Sequence, residues 1–196
     1  HKWPCGDGGS INRAMIPREV LTTTHLDLVP VGPAHAQSLF QAVMVSRPEL
    51  LAWMPWAREP TFEGTLAQTV SSERDWHEDS EFHFSLIDRK TREVLGIAGL
   101  NRDGPSSAEL HYWVRSDHSG HGLTTDACKA LIAWGPRALG VSHLTLWAGR
   151  DNPASRRVAT KLGFTHIGPL DWRPEGGMGP FDAESYVLTL SQDQPE

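Results

Sequence analysis

Ser119-Gly120-His121-Gly122-Leu123-Thr124-Thr125 runs directly into Asp126-Ala127-Cys128-Lys129-Ala130-Leu131-Ile132-Ala133-Trp134, and the reading of this junction decides the fold. Two glycines two residues apart relax the backbone. A helical apolar pattern then begins, and threonines at the junction are suited to cap the free N–H groups of its first turn. A helix start with unpaired N–H groups and a partial positive charge is a seat for phosphate or pyrophosphate. Residues 108–114, just before, read as a strand. The unit is strand, glycine-bearing loop, helix. A Gly-x-Gly alone marks a plain turn just as well, so the flanking elements carry the reading.

Working outward, residues 24–31 alternate as a first strand, with Leu26, Leu28 and Pro30 on one side. Pro33 opens a helix with Leu39, Phe40, Val43 and Met44 on one face, and a second short helix is expected from Pro48 to Met54. Residues 62–76 read as a third helix facing inward with Leu66, Thr69 and Val70. Strands at 82–87, 94–100 and 108–114, joined by turns at 88–91 and 101–107, form an antiparallel meander. Gly140 closes the helix that starts near Thr125. A strand at 143–148 follows, then a helix with Asn152 as N-cap and Pro153 at its first position. Strands at 165–170 and 184–190 flank a Gly- and Pro-rich hairpin containing Trp172, Glu175 and Phe181. The fold class is α/β: one mixed, mostly antiparallel sheet flanked by helices.

The 196 residues suit one domain with a proper core. Residues 1–20 are expected to be a tail, disordered or left over from expression, and 21–196 the domain. With 39% hydrophobic and 21% charged residues the chain reads as soluble and globular. A net charge of −6 argues against direct nucleic-acid or anionic-membrane binding and leans toward basic partners. No apolar run approaches the ~18 residues of a membrane span, and no signal-peptide pattern opens the chain. Cys5 and Cys128 are too few for a disulfide framework, which fits a cytoplasmic location. The ten histidines show no metal-ligand spacing, so no metal is expected.

The loop at 119–124 and the segment Asn152-Pro153-Ala154-Ser155-Arg156-Arg157-Val158-Ala159-Thr160-Lys161-Leu162-Gly163-Phe164 stand at the spacing seen in the GNAT superfamily of acetyl-CoA-dependent N-acetyltransferases. Residues 50–56, 95–100 and 108–113 further resemble its RimJ/RimL-like branch, the ribosomal-protein N-terminal acetyltransferases. The resemblance spans residues 22–190. It implies a sheet splayed open between the strands at 108–114 and 143–148, where the pantetheine arm of acetyl-CoA inserts. It implies a cofactor set of Ser119, Gly120, His121, Gly122, Leu123, Thr124, Thr125, Asn152 and Ser155, with pyrophosphate on the N–H groups of 120–125. The chain departs from the family at Ser119 (usually Gln or Arg) and Thr124 (usually Gly or Ala), but backbone donors survive both changes. A Rossmann reading of the loop fails, because the third glycine and the acidic residue are missing in context.

Acetyl transfer to an amine needs a free amine, a polarised thioester carbonyl and a proton for the leaving thiolate. Neither cysteine sits in a nucleophile motif, so direct attack in a ternary complex is expected. The resemblance points to Glu109 as the base. His111, where the family commonly has Gly, either accepts a proton or fills the acceptor pocket. The tyrosine acid of many relatives is replaced by Ala159, and the resemblance to the RimJ/RimL-like branch implies Ser155 as the donor instead. Glu175 is a second candidate base. Arg156, Arg157 and Lys161 read as solvated helix-face charge, and Trp53, Trp56 and Trp172 as core or as walls of an acceptor groove. The implied partner is an amine acceptor, a protein N-terminus or a small molecule such as an antibiotic, toxin or polyamine, with a homodimer left open. A non-catalytic acyl-CoA-binding module is the alternative outside catalysis.

Overall fold

The computed structural model describes residues 15–170 and 182–190. Its sheet is assembled from β1 (Leu21–Thr22), β2 (Leu26–Pro30), β3 (Glu81–Asp88), β4 (Val94–Gly104), β5 (Ser107–Val114), β6 (His143–Gly149), β7 (Thr165–Leu170) and β8 (Ala183–Thr189). The spatial order is β1-β2-β3-β4-β5-β6-β8-β7. Every neighbouring pair is antiparallel except β5 and β6. Helices α1 (Ala36–Leu50) and α2 (Phe62–His77) pack on one face of the sheet, α3 (Leu123–Leu139) and α4 (Pro153–Lys161) on the other.

Strand periodicity sets the two faces. Phe82, Phe84 and Leu86 of β3, Ala98 and Leu100 of β4, and Ala108 and Leu110 of β5 are buried in the α3-side core. Trp134 of α3 stands at its centre, 1% exposed, with ring contacts to Phe82, Phe84 and Trp76 at centroid separations of 5.3–5.8 Å. The intervening residues face α1 and α2. There they form cross-strand rows: Glu81, Asn101 and Glu109 in one, His83, Gly99 and His111 in the next.

Several sequence expectations are revised. Pro48 does not open a new helix but lies inside α1, because the carbonyl it leaves unbonded, that of Met44, is on the exposed side. Met44 faces solvent, and Ala42 and Ser46 are buried with Leu39 and Val43. The buried side of α2 is Thr69, Ser72 and Trp76, whereas Leu66 and Val70 are exposed. The turn expected at 101–107 shrinks to two residues, since β4 runs on to Gly104 and pairs with Ser107. Polar side chains at 101–103 hide that extension from a hydropathy reading. Residues 15–20, placed in the tail, pack on the domain. The Ile16 carbonyl accepts from Trp76 Nε1 at 3.0 Å, and Glu19 accepts from Trp134 Nε1 at 2.8 Å.

Gly99 is required by the rows themselves. A Cβ there would stand 2.5 Å from the Phe82 carbonyl oxygen and 2.7 Å from His111 Nε2. The backbone oxygen cannot yield as a side chain would. Gly99→Ala should therefore destabilise the fold by ~1–3 kcal/mol, read as a lower urea midpoint at unchanged slope; a midpoint equal to wild type would contradict the close approach.

Candidate active site

The β5–β6 pairing is the origin of the site. These parallel strands are in register only at Ser107↔His143, Ala108↔Leu144 and Glu109↔Thr145. Past Glu109 the two strands diverge, leaving their facing backbone edges without each other as partners. The splay expected between residues 108–114 and 143–148 is present. Both following helices leave from this open end: β5 leads through a 3-10 turn (Ser116–His118) into α3, and β6 leads into α4. Two helix N-termini thus stand at the mouth of one cleft.

At the first mouth the helix starts two residues earlier than expected. Its N-cap is Gly122 at φ 80°, ψ 0°, with no side-chain cap, so Thr124 and Thr125 lie inside the first turn and do not cap it. Gly120 is also left-handed, at φ 84°. Among the described residues, the N–H groups of 120–125 have no acceptor. Ser119, expected in this set, differs: its N–H and its hydroxyl both donate to the Ser116 carbonyl, at 3.2 and 2.6 Å. The cradle begins at Gly120. Six consecutive free donors at a helix start, beside an unpaired strand edge, fit a pyrophosphate with an amide-bearing arm.

At the second mouth the Asn152 side chain caps α4, accepting from the Ser155 N–H at 3.1 Å. This matches the capping reading, and Pro153 follows at the first position. The cleft between the mouths is lined by Glu109, His111, Asn152 and Ser155, four of the residues singled out from sequence, with Trp53 and Met54 at its edge. Glu175 and Trp172 lie outside the described residues. Trp56 is not core: it is 47% exposed, 6.2 Å from the Trp113 ring, over a separate pocket between α1 and α2. Arg156 is tied down, donating to Tyr186 Oη at 3.2 Å and to the Arg150 carbonyl at 3.3 Å.

Glu109 sits where the strands part. Trp147 Nε1 reaches across from β6 and donates to its Oε1 at 2.7 Å. Burial pushes the Glu109 carboxyl above the usual range, the Trp147 bond partly offsets this, and the carboxylates of Asp103 and Glu81 push it further up. On the other face, Tyr112 Oη lies 2.9 Å from Ser155 Oγ. Trp147 and Tyr112 were not assigned roles from sequence. Their signal is spacing alone, since each follows a site strand residue with the parity of a known face.

His111 does not suit the role of base. Its ring lies edge-on to His83 at 4.8 Å, and its Nε2 is buried without a partner. Burial first, and then His83, lower its pKa to about 3, so it stays neutral. The other reading, an imidazole that fills the pocket, fits. His83 is likewise lowered, chiefly by burial. Its Nε2 faces Asn101 Oδ1 at 3.2 Å and Glu81 Oε2 at 3.3 Å, which puts the proton on Nε2 and leaves Nδ1 to accept from Ser72 at 2.9 Å.

A GNAT acetyltransferase domain model matches residues 25–165. The fold and the cleft define an acyltransferase that uses acetyl-CoA as cosubstrate, and the chain belongs to the GNAT acetyltransferase family. It is 27% identical over 147 residues to the ribosomal-protein-serine acetyltransferase of Escherichia coli (strain K12), covering 74% of this chain and 82% of that one. The solved structure of RimL, a ribosomal L7/L12 α-N-protein acetyltransferase in complex with coenzyme A, superposes with a TM-score of 0.81 at 20% identity, over 89% of this chain and all of that one. The microcin C7 self-immunity acetyltransferase MccE, solved with acetyl-CoA and AMP, gives 0.78 at 17% identity, over 85% and 93%. Among the described residues no cluster of His, Cys, Asp or Glu could hold a metal ion, and no helix is long and apolar enough to cross a membrane.

Two outcomes follow from this geometry. Valine at 122 would take the left-handed backbone that a β-branched residue resists, at a cost of ~1–3 kcal/mol, and would crowd the free donors. Gly122→Val is expected to weaken acetyl-CoA binding at least ~10-fold by calorimetry while circular dichroism stays native. Acid should also destabilise the fold through His111. The unfolded state takes up a proton below its ordinary 6.5 and the folded state refuses it down to about 3, so stability falls as pH drops through that window. The slope reaches ~1.4 kcal/mol per pH unit, and His111→Gln should flatten the fall in urea unfolding between pH 6 and 4.

Proposed function

We propose that this acetyltransferase modifies the α-amine at the N-terminus of a protein or peptide, working in the cytoplasm, with Glu109 as general base and Ser155 as donor to the departing sulfur. The observation that carries the reading is the placement of these two side chains. Glu109 lines the cleft on the α1–α2 side of β5, and Ser155 lines it from α4 on the opposite side. A thioester lying through the splay has one group for the incoming amine and one for the leaving thiolate.

The steps follow from that arrangement. Free N–H groups of 120–125 hold the pyrophosphate and align the thioester along the open strand edge. Glu109 takes a proton from the attacking nitrogen, for which its raised pKa makes it a competent base. The C–N bond forms and the C–S bond breaks, its electron pair leaving on sulfur. Ser155 donates its hydroxyl hydrogen to that sulfur while solvent returns a proton to Oγ, and Glu109 releases the amine's proton to solvent, so the products are the amide and the free thiol. Cys128 takes no part: it is fully buried in α3, and burial pushes its thiol well above the usual range.

Support for an N-terminal acceptor comes from the likeness to the ribosomal-protein-serine acetyltransferase. Three carboxylates on the acceptor side, Glu81, Asp103 and Glu109, interact electrostatically and favour an acceptor of positive charge. A small-molecule amine is the second reading, supported by the likeness to an acetyltransferase solved with AMP. CoA release across peptides with free N-terminal Ser or Ala, polyamines and aminoglycosides separates the two, with mass spectrometry locating the acetyl group. Release only with small amines would displace the first reading.

With the responsive acceptor, Glu109→Gln should lower turnover ~100-fold at pH 7 and recover in part at high pH, where the amine is already free. Ser155→Ala should reduce kcat far more than acetyl-CoA affinity. A full-rate variant in either case removes that residue from its role.

A further inference from the structure

Ser155 is the third residue of α4, and this position leaves its hydroxyl without an occupation of its own. A serine deeper in a helix usually bends its hydroxyl back to the carbonyl one turn earlier. Here the preceding turn is the cap, and the cap contact is made by the Ser155 N–H, not by Oγ. The hydroxyl is a free rotor unless something outside the helix orients it. A poorly oriented donor contributes little to a developing charge.

Tyr112 is that outside group. It projects from β5 on the α4 side, one residue past His111, and its Oη lies 2.9 Å from Ser155 Oγ and 3.4 Å from the Ser155 carbonyl oxygen. Both atoms belong to the same residue. The carbonyl can only accept, so a phenol that donates is compatible with both neighbours, and the shorter contact is the one to Oγ. When the phenol donates to Oγ, the serine hydrogen must point elsewhere, and the open side is the cleft.

We propose that Tyr112 is the positioning residue of the acetyl-transfer step: its O–H donates to Ser155 Oγ and turns the serine's own hydrogen toward the leaving sulfur. The proposal rests on the reading of Ser155 given under Proposed function. Tyr112 acts through Ser155 and gives up no proton. The groups facing its phenol are Ser155 from α4, Cys128 from α3 and Tyr186 from β8. None is a cation, and burial holds the phenol protonated well above the usual tyrosine range. The nitrogen's proton still goes to Glu109, and the C–S electron pair still leaves on sulfur. What Tyr112 changes is the direction of one hydrogen at the moment of departure. This also gives the chain a substitute for the helix tyrosine missing at Ala159, by a different route: a strand tyrosine directs a helix serine.

The test is a double-mutant cycle in CoA release from acetyl-CoA with a peptide bearing a free N-terminal serine. Tyr112→Phe removes one oxygen and keeps the ring. It should lower kcat ~10-fold, the size of one charge-directed hydrogen bond, with KM for acetyl-CoA within ~2-fold. In the Ser155→Ala background the same change should cost nothing further. An unchanged kcat in Tyr112→Phe, or a loss that multiplies in full onto Ser155→Ala, overturns the proposal. Failure of the underlying reading is visible separately, as a Ser155→Ala variant at wild-type rate. Should Tyr112→Phe not fold, 3,5-difluorotyrosine at 112 keeps ring and hydroxyl but ionises more readily. The variant should then lose kcat at high pH where the wild type keeps it, and a variant whose high-pH profile matches the wild type overturns the proposal as well.

Discussion

The early end of one parallel strand pair governs this protein. Strands β5 and β6 hold register for three residue pairs and then separate. A buried strand edge without partners is costly, because each unpaired N–H or C=O loses a hydrogen bond to water and gains none. Side chains span the opening on both faces. Trp147 reaches from β6 to Glu109 on one side, and Tyr112 reaches from β5 to Ser155 on the other. The same contacts that hold the splay in place also fix the groups proposed for chemistry.

The division of labour between backbone and side chains follows from this opening. Cofactor recognition is proposed to fall to main-chain donors at a helix start, and such donors do not depend on the side chains at Ser119 and Thr124. Left-handed glycines at 120 and 122 turn the donors outward without needing any particular side chain. The row Glu81, Asn101 and Glu109, with the imidazoles beside it, is the side proposed to receive the acceptor. His111 fits because Gly99 between it and His83 has no side chain.

Periodicity made much of the fold legible. Leu26, Leu28 and Pro30 alternate in the chain and are the buried residues of β2. Asn152 and Pro153 announce the start of α4, and Gly140 the end of α3. The failures have physical causes. The extension of β4 through Asn101 and Asp103 is polar and only partly buried, so hydropathy reads it as a turn. Pro48 sits in a helix because solvent satisfies the carbonyl it leaves free. The threonines at 124 and 125 look like caps, yet the left-handed Gly122 already turns the chain into the helix. The base role open to His111 is ordinary by residue type, but burial beside His83 holds its pKa well below the usual histidine range.

Local chemistry in the sequence determined most of the strands and helices, where α4 is capped, and that a glycine-bearing turn opens α3. It determined these because turns, caps and free N–H groups depend on neighbours along the chain. Only the tertiary structure decided which side chains meet across the splay. Tyr112 and Ser155 are 43 residues apart and Glu109 and Trp147 are 38 apart. Their contacts depend on how far β5 and β6 stay paired before parting, and that is set by packing on both faces of the sheet.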